Sequence, residues 1–182
     1  MKDLSMHIMD IAQNSIAAKA TQLYIEINEN SIRDLYSITI IDDGIGMPEK
    51  ILNSVIDPFF TTRVTRKVGL GIPLLKQNAE RTGGDFTIES EEGKGTKLVA
   101  SFDSSHPDFL PLGDIAGTIV LLTAANKNIS IKYRHISKKG EYLYDTQKVN
   151  ETLDGVSIDE PAVIKFLKDM INENLTEIEV LK

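Results

Sequence analysis

An acidic pair followed by two glycines is the part of this sequence whose residue types are best suited to binding chemistry. It follows a β-branched run, residues 36–41, which predicts a buried strand. A carboxylate held at the end of such a strand can accept a hydrogen bond from an exocyclic amine, and a protein can select adenine in this way. The glycines permit a sharp turn and let a ligand approach the main chain. An ordinary acidic-glycine turn is the alternative. The segment consists of Asp42, Asp43, Gly44, Ile45, Gly46 and Met47.

A carboxylate and an amide share one face of a predicted helix upstream of this turn. Apolar residues at positions 8, 11, 12 and 16 follow the helical period and predict an amphipathic helix. Asp10 and Asn14 are four residues apart and therefore lie one above the other. An amide oxygen at such a place can ligate Mg²⁺, and a carboxylate can orient or deprotonate a nucleophile. The alternative is a solvated polar face.

A cationic, threonine-rich segment lies downstream, between two aromatic residues and a pair of glycines. The aromatic residues are Phe59 and Phe60, and the segment ends in a Gly-Leu-Gly element that opens directly into a predicted apolar helix. A helix N-terminus preceded by glycines binds anions, and neighbouring cations suit a polyphosphate. Because residues 61–71 have few apolar anchors, we expect them to be mobile without nucleotide and ordered by it.

These segments, with a predicted hairpin at residues 83–90 and 95–102, resemble in order and spacing the N, G1, F and G2 boxes of the GHKL superfamily. The resemblance covers roughly residues 1–102. This superfamily includes DNA gyrase B, the heat-shock chaperones of the ninety-kilodalton class, the histidine kinases and the MutL mismatch-repair proteins. The Phe-Phe-Thr-Thr-Arg run is most similar to the histidine kinases and the anti-sigma-factor kinases. The resemblance implies an α+β fold, a Bergerat-type sandwich with a mixed, mostly antiparallel sheet and helices on one face.

The resemblance also implies roles for individual residues. Asn14 would ligate Mg²⁺, Asp42 would hydrogen-bond the adenine amino group, and Thr96 would assist near the adenine. Asp10 stands where hydrolytic members and anti-sigma kinases carry a glutamate base, but it is one methylene shorter. The remaining implied ATP contacts are the base pocket at Gly44, Gly46 and Met47, the lid at Thr62, Arg63 and Lys67, and the phosphate site at Gly69, Leu70 and Gly71.

The composition predicts a globular, cytoplasmic protein. The chain has 182 residues, a formal net charge of -7 and no cysteine. The negative charge argues against general nucleic-acid binding, and the absence of cysteine excludes disulfides and thiolate chemistry. The amphipathic, partly acidic start predicts no signal peptide, and the longest strongly apolar run, residues 115–125, is too short to span a bilayer. We therefore expect no membrane partner.

Residues 103–182 are predicted to form a small α+β extension of an ATP-binding domain at residues 1–102. A polar linker at residues 103–107 separates the two parts. The extension has no recognisable catalytic motif, and its role is open between extending the ATPase core and docking a partner. Its patterns predict helices at residues 112–126, 146–153 and 161–174 and strands at residues 129–136 and 141–144.

Two functions are compatible with these features. In one, the protein is a histidine-kinase-type or anti-sigma-type kinase that transfers the γ-phosphoryl group of ATP to a separate protein in trans. A self-phosphorylating kinase is not expected, because the predicted N-box helix begins almost at the first residue and no acceptor hairpin precedes it. In the other, the protein is a nucleotide-gated switch or slow ATPase that binds a partner without phosphorylating it. His7, His106 and His135 have no catalytic or metal-ligating companion at useful spacing, and we assign them no functional role.

Overall fold

Six strands and six helices make up the part of the chain that the computed structural model describes, residues 1–29, 35–55 and 70–180. Within these three ranges no helix has the length and apolar character needed to cross a membrane. The elements, in chain order, are α1 (Leu4–Ala17), β1 (Gln22–Asn28), β2 (Leu35–Asp42), α2 (Glu49–Val55), α3 (Gly71–Arg81), β3 (Phe86–Glu91), β4 (Gly95–Asp103), α4 (Ile115–Ala125), β5 (Ser130–Ile136), β6 (Glu141–Asp145), α5 (Thr146–Leu153) and α6 (Pro161–Glu177).

The six strands form one mixed sheet in the order β3-β4-β2-β1-β5-β6. β1 and β5 run parallel, and the other neighbouring pairs are antiparallel. The predicted α+β class, with a mixed and mostly antiparallel sheet of the Bergerat type, is therefore confirmed.

One face of this sheet carries the hydrophobic core. In β1 the buried side chains are Leu23, Ile25 and Ile27, and those between them stay partly exposed. This alternation is typical of a sheet with one covered face, because successive side chains of a strand point to opposite sides. The apolar faces of α1, α3, α4 and α6 contribute to the same buried cluster. Within this helical layer α1 contacts both α3 and α4.

Two elements of the fold occupy residues for which no element is predicted. Residues 22–28 form β1, the strand that pairs with both β2 and β5. The alternation of apolar and polar residues in this segment is a strand signal. Residues 49–55 form α2, a short helix without a fully buried residue.

The predicted C-terminal extension shares the sheet and the core of the residues before it. Its first strand, β5, lies beside β1, and its first helix, α4, packs on α1. The carbonyl oxygens of Pro111 and Leu112 accept hydrogen bonds from the amides of Leu4 and Ser5 at the start of α1, at 3.0 and 2.9 Å. The boundary at residue 102 stays a prediction, and the structure adds that both parts contribute to one sheet.

Candidate functional site

A cavity of about 400 Å³ opens where α1, the end of β2 and the β3–β4 hairpin meet. This volume is within the usual range of small-molecule sites. Its walls are mostly apolar and include Ile40, Met47, Ile72, Ile88 and Leu98. The polar side chains that line it are those of Asn14, Ser15, Asp42 and Thr96. A mostly apolar cavity with a few polar groups suits a flat organic ring with polar edges.

Asp42 ends β2 and brings a carboxylate to this cavity while being only 9% exposed. Ser15 Oγ donates a hydrogen bond to its Oδ2 at 2.6 Å, and the Gly44 amide donates to its Oδ1 at 2.9 Å. Such donors offset the cost of removing a charge from water. A carboxylate has about four accepting positions, so the two oxygens keep capacity for a further donor. Asp42 can therefore accept a hydrogen bond from an amine of a ligand.

The neighbouring Asp43 is used differently, because it binds the start of β1. Its carboxylate accepts hydrogen bonds from the Thr21 amide at 2.7 Å, the Thr21 hydroxyl at 2.6 Å and the Gln22 amide at 2.8 Å. Burial acts to raise the pKa of Asp43, but these hydrogen bonds outweigh burial and hold the pKa below its ordinary value. The acidic pair is thus divided between a residue at the cavity and a residue that fixes the turn.

The glycines after the acidic pair allow the turn to pack closely on neighbouring backbone. Gly46 has a φ of +66°, and a Cβ there would lie 2.0 Å from the carbonyl oxygen of Glu91. A Cβ on Gly44 would lie 2.8 Å from the carbonyl oxygen of Ala18. The protein's own packing therefore requires glycine at both positions, in addition to the ligand approach expected from the sequence. Gly46 also lines the cavity, and contact of either glycine with ATP stays a prediction.

Thr96 reaches the cavity from β4, where it is directly opposite Asp42. Its Oγ1 lies 2.9 Å from Oγ of Ser90. The same Ser90 hydroxyl accepts a hydrogen bond from the Met47 amide at 2.8 Å. Ser90 therefore connects the glycine turn to the β3–β4 hairpin and holds the Thr96 hydroxyl in place.

Asn14 and Asp10 both project from α1 but border different hollows. Asn14 lines the cavity, whereas Asp10 lines a second depression together with Gln13, Leu70 and Gly71. Oδ2 of Asp10 lies 1.9 Å from the position that a Cβ on Gly71 would occupy. α3 begins at Gly71, and its N-cap residue Leu70 makes no side-chain capping hydrogen bond. The Asp10 carboxylate thus lies beside the positive end of α3.

A buried histidine also joins α1 to α3. Nε2 of His7 lies 2.9 Å from Nδ2 of Asn78, whose Oδ1 accepts a hydrogen bond from Arg81. The amide nitrogen therefore faces the imidazole, and Nε2 is the acceptor. Burial, assisted by the N-terminal ammonium group, lowers the pKa of His7 to about 4. The imidazole is consequently neutral at pH 7 and packs between the two helices that flank the cavity.

Part of the predicted site lies outside the described residues. The residues concerned are Thr62, Arg63, Lys67 and Gly69. The expectation that nucleotide orders residues 61–71 concerns the same region and stays a prediction. Leu70 and Gly71, the other two predicted phosphate-site residues, form the start of α3.

Two hydroxyl groups at the site, those of Ser15 and Ser90, are absent from the sequence-based prediction. Ser15 occupies a buried position of α1, in line with Ile8, Ile11 and Ala12. A polar residue on a buried helical stripe needs a hydrogen-bond partner, and this was the available signal. Ser90 lies on a strand whose pattern carries no corresponding signal, because its partners come from the turn after β2 and from β4.

The family of this chain is shown by residues 2–106, more than half of its length. They match the family described as histidine kinase-, DNA gyrase B-, and HSP90-like ATPase. The chain therefore belongs to this family. Its matched segment is an ATP-binding domain of the kinase type.

Several similar proteins are bacterial kinases. Sensor histidine kinase WalK of Bacillus subtilis (strain 168) is 37% identical over 80 residues, which cover 41% of this chain and 13% of WalK. Sporulation kinase E of the same strain is 42% identical over 64 residues, which cover 35% of this chain and 8% of that kinase. Sensor kinase CckA of Brucella abortus (strain 2308) is 36% identical over 86 residues, which cover 46% of this chain and 9% of CckA. The chain thus spans no more than 13% of the length of these relatives.

A solved structure, the N-terminal domain of a DNA repair protein, shares the fold. The TM-score is 0.56 at 16% sequence identity, and the likeness covers 79% of this chain and 52% of that chain. At this identity the likeness concerns the fold alone. Because it covers 79% of the chain, the shared fold extends past the family-matched residues 2–106.

Replacing Gly46 by alanine should destabilise the protein more than replacing Gly93 by alanine. The two glycines have φ values of +66° and +81°, so both variants carry the strain of a left-handed residue, roughly 1–2 kcal/mol. Only at Gly46 does the new Cβ meet backbone, since no described heavy atom lies within 4 Å of the Cβ position at Gly93. In urea unfolding, Gly46→Ala should therefore lose about 1–3 kcal/mol more of the free energy of unfolding than Gly93→Ala. Equal losses would show that the turn relaxes freely.

Proposed function

We propose that this chain binds Mg-ATP in the cavity beside Asp42 and transfers the γ-phosphoryl group to a separate protein in trans. The observation that carries the proposal is the buried Asp42 carboxylate, held by Ser15 and Gly44 at a mostly apolar cavity. Membership of an ATPase family with kinase relatives supports it. A cytoplasmic location is part of the proposal, since a chain without cysteine uses no disulfides.

Asp42 would recognise the base through its exocyclic amine. Adenine carries an amino group where guanine carries a carbonyl oxygen, so guanine would place an acceptor against a buried carboxylate. The side chains of Ile40, Met47 and Leu98 line the same cavity and would contact the faces of the ring. The Thr96 hydroxyl would add a polar contact at the ring edge. These groups together favour adenine over guanine.

We place the phosphates near the start of α3. This helix begins without a side-chain cap, so its first amides suit an anion. Asp10, at the same helix end, would orient the attacking group of the acceptor.

Asn14 would give Mg²⁺ one oxygen ligand, and phosphates and waters would give the others, as is usual for this ion. The described residues hold no cluster of three or more acidic, histidine or cysteine side chains suited to a metal, which fits an ion that arrives with the nucleotide. Bound Mg²⁺ would neutralise phosphate charge.

The positions of the three histidines support an acceptor on another protein. His7 and His135 are 0% exposed, and His106 follows the end of β4 that lies away from Asp42. Within the described part of the chain, no histidine lines the cavity. Phosphorylation of His7 or His135 would thus require part of the fold to open, and His106 lies away from the cavity, whereas a second protein can bring its acceptor to the cavity.

A nucleotide-gated switch or slow ATPase is the second candidate. Asp10, the residue at the proposed base position, borders the second depression and packs against the start of α3. A carboxylate used in this way can hold α3 without activating a nucleophile. ATP would then alter the surface presented to a partner, and no phosphate would be transferred.

Incubation with γ-labelled ATP, Mg²⁺ and a native cytosolic fraction distinguishes these two functions. The kinase predicts label on a second protein and none on this chain. The same incubation with Asp42→Asn should give little label. ATP binding without any labelled second protein would contradict the kinase and support the switch.

Asp42→Asn should lower ATP affinity roughly ten- to a hundredfold, because a charged hydrogen bond contributes about 1.5–3 kcal/mol. The new amide can also present a donor to the adenine amine. Asp43→Asn is the matched control. It makes the same substitution at the next residue, whose carboxylate binds Thr21 and Gln22 and does not line the cavity. Calorimetry of the folded variants should show near wild-type affinity for Asp43→Asn. Equal affinity in both variants would contradict the adenine assignment.

Asn14→Ala should reduce the gain in nucleotide affinity that Mg²⁺ provides, because an oxygen ligand of a hard cation is lost. Affinity measured with EDTA should change little, since the adenine contacts are intact. Gln13→Ala, an exposed neighbour on the same helix, is the control and should keep the full effect of Mg²⁺. If Asn14→Ala keeps that effect too, Asn14 has a structural role.

A further inference from the structure

Three polar side chains are buried together near one end of the sheet. The side chains of His135 and Glu29 are 0% and 3% exposed, and Nε2 of His135 lies 2.5 Å from Oε1 of Glu29. Nδ1 of His135 lies 2.5 Å from the hydroxyl oxygen of Tyr133, which is also fully buried. Buried ionisable groups are costly unless their hydrogen bonds are made. We call these residues the Glu29–His135–Tyr133 network.

The network lies at the end of β1 that is remote from the cavity. Leu23, near the start of β1, is directly opposite Asp42. Glu29 follows the last residue of β1, and its amide donates a hydrogen bond to the carbonyl oxygen of Ile136 in β5 at 2.9 Å. At about 3.3 Å per residue, Glu29 is roughly 20 Å along the strand from Leu23. The network is therefore separate from the proposed nucleotide site.

One arrangement of protons satisfies the three side chains together. Burial, with smaller contributions from Tyr36, Glu29 and Tyr142, raises the pKa of Tyr133 well above its ordinary value, so the phenol keeps its proton. Tyr133 then donates to Nδ1 of His135, which leaves the Nε2 proton for the Glu29 carboxylate. The network thus connects a carboxylate beyond the end of β1 to two side chains of β5.

This connection crosses from the family-matched residues into the C-terminal extension. Glu29 is within residues 2–106, whereas Tyr133 and His135 lie beyond them. Glu29 and His135 are 106 residues apart in sequence. A parallel pair such as β1–β5 has no tight turn to hold its strands together. The strands must therefore be held by their own backbone and side-chain contacts.

The end of α6 is attached to the hairpin that contains this network. The Ser137 hydroxyl donates a hydrogen bond to the carbonyl oxygen of Ile178. Nζ of Lys139 lies 3.8 Å from a carboxylate oxygen of Glu179. A Cβ on Gly140 would lie 3.3 Å from Cγ2 of Ile178, so the β5–β6 turn and the residue after α6 pack closely here. β5, β6 and α6 are consequently connected to one another as well as to β1.

We propose that the Glu29–His135–Tyr133 network fastens β5, β6 and α6 to β1, so that the C-terminal extension does not detach separately from the ATP-binding domain. An exposed ion pair, Glu26–Arg134, joins the same two strands at 3.2 Å, and its side chains are 21% and 39% exposed. Exposed ion pairs contribute little to stability, whereas removing one partner of a buried hydrogen bond leaves the other partner unsatisfied and is destabilising. The buried network, and not the exposed pair, therefore suppresses local opening. This proposal does not depend on nucleotide binding.

Amide hydrogen exchange of the full chain without nucleotide tests the proposal. Glu29→Gln removes the charge but keeps the shape, and it should accelerate exchange in β5, β6 and α6 about ten- to a hundredfold. Tyr133→Phe removes one hydrogen-bond donor and should accelerate the same segments by roughly three- to tenfold. Exchange in β3 and β4, at the other side of the sheet, should stay at the wild-type rate in both variants.

Two control variants match these changes at residues whose side chains make no hydrogen bond to the network. Glu26→Gln makes the same substitution on β1 at the exposed pair, and exchange should change by less than about threefold. Tyr36→Phe removes a hydroxyl that is as buried as that of Tyr133 but has no hydrogen-bond partner among the described residues. In Tyr36→Phe, amide exchange in β5, β6 and α6 should be unchanged or slower than in the wild type, because no hydrogen bond is lost.

Each pattern of exchange either supports or overturns the proposal. Selective acceleration of β5, β6 and α6 in the network variants supports it. Equal acceleration of all strands would overturn it, because the network would then contribute only to global stability. Exchange in Tyr133→Phe that is no faster than in Tyr36→Phe would overturn it as well. If Glu29→Gln does not fold, Tyr133→Phe alone decides between these outcomes.

Discussion

The buried charge of Asp42 must be satisfied inside the protein, and the arrangement of the cavity follows from this requirement. Ser15 satisfies one oxygen from α1, and Gly44 satisfies the other from the turn. Gly95 of the β3–β4 hairpin packs against the main chain of the same residue, where a Cβ would lie 2.0 Å from the carbonyl oxygen of Asp42. The side chain and main chain of Asp42 thus contact a helix, a turn and a hairpin. An adenine amine would use the accepting capacity that these contacts leave.

Local patterns predict those parts of the fold whose determinants are close together in sequence. α3 occupies residues 71–81, as its glycines and apolar period indicate, and α5 occupies the predicted residues 146–153. α1 contains the predicted apolar positions 8, 11, 12 and 16 and ends at Ala17, and Lys19 takes a φ of +61° directly after the C-cap Ala18. A left-handed lysine carries no sequence signal comparable with that of a glycine at this position. The end of the helix was therefore the least predictable part of it.

Pairings between distant residues could not be predicted in the same way. The alternation of residues 22–28 indicates a strand but does not tell which strands lie beside it, and β1 proved to pair with both β2 and β5. The partner of His135 likewise could not be predicted from local sequence, because Glu29 is 106 residues away. The role of the Ser90 hydroxyl depends on Met47 and Thr96, which approach it from the turn after β2 and from β4. Motif spacing indicated the cavity, and tertiary pairing supplied the groups that fix its geometry.

The C-terminal extension completes the helix that carries Asn14. The first amides of a helix lack partners within the helix and must find them elsewhere. In α1, Asp3 accepts from the Met6 amide, but the Leu4 and Ser5 amides donate to carbonyl oxygens of residues 111 and 112. These carbonyls lie beyond the family-matched residues 2–106. In the folded chain Leu4 and Ser5 are 0% and 3% exposed, so these two carbonyls take the place of water as the acceptors of their amides. The family-matched segment alone would lack both acceptors, so the extension completes the first turn of the helix that carries Asn14.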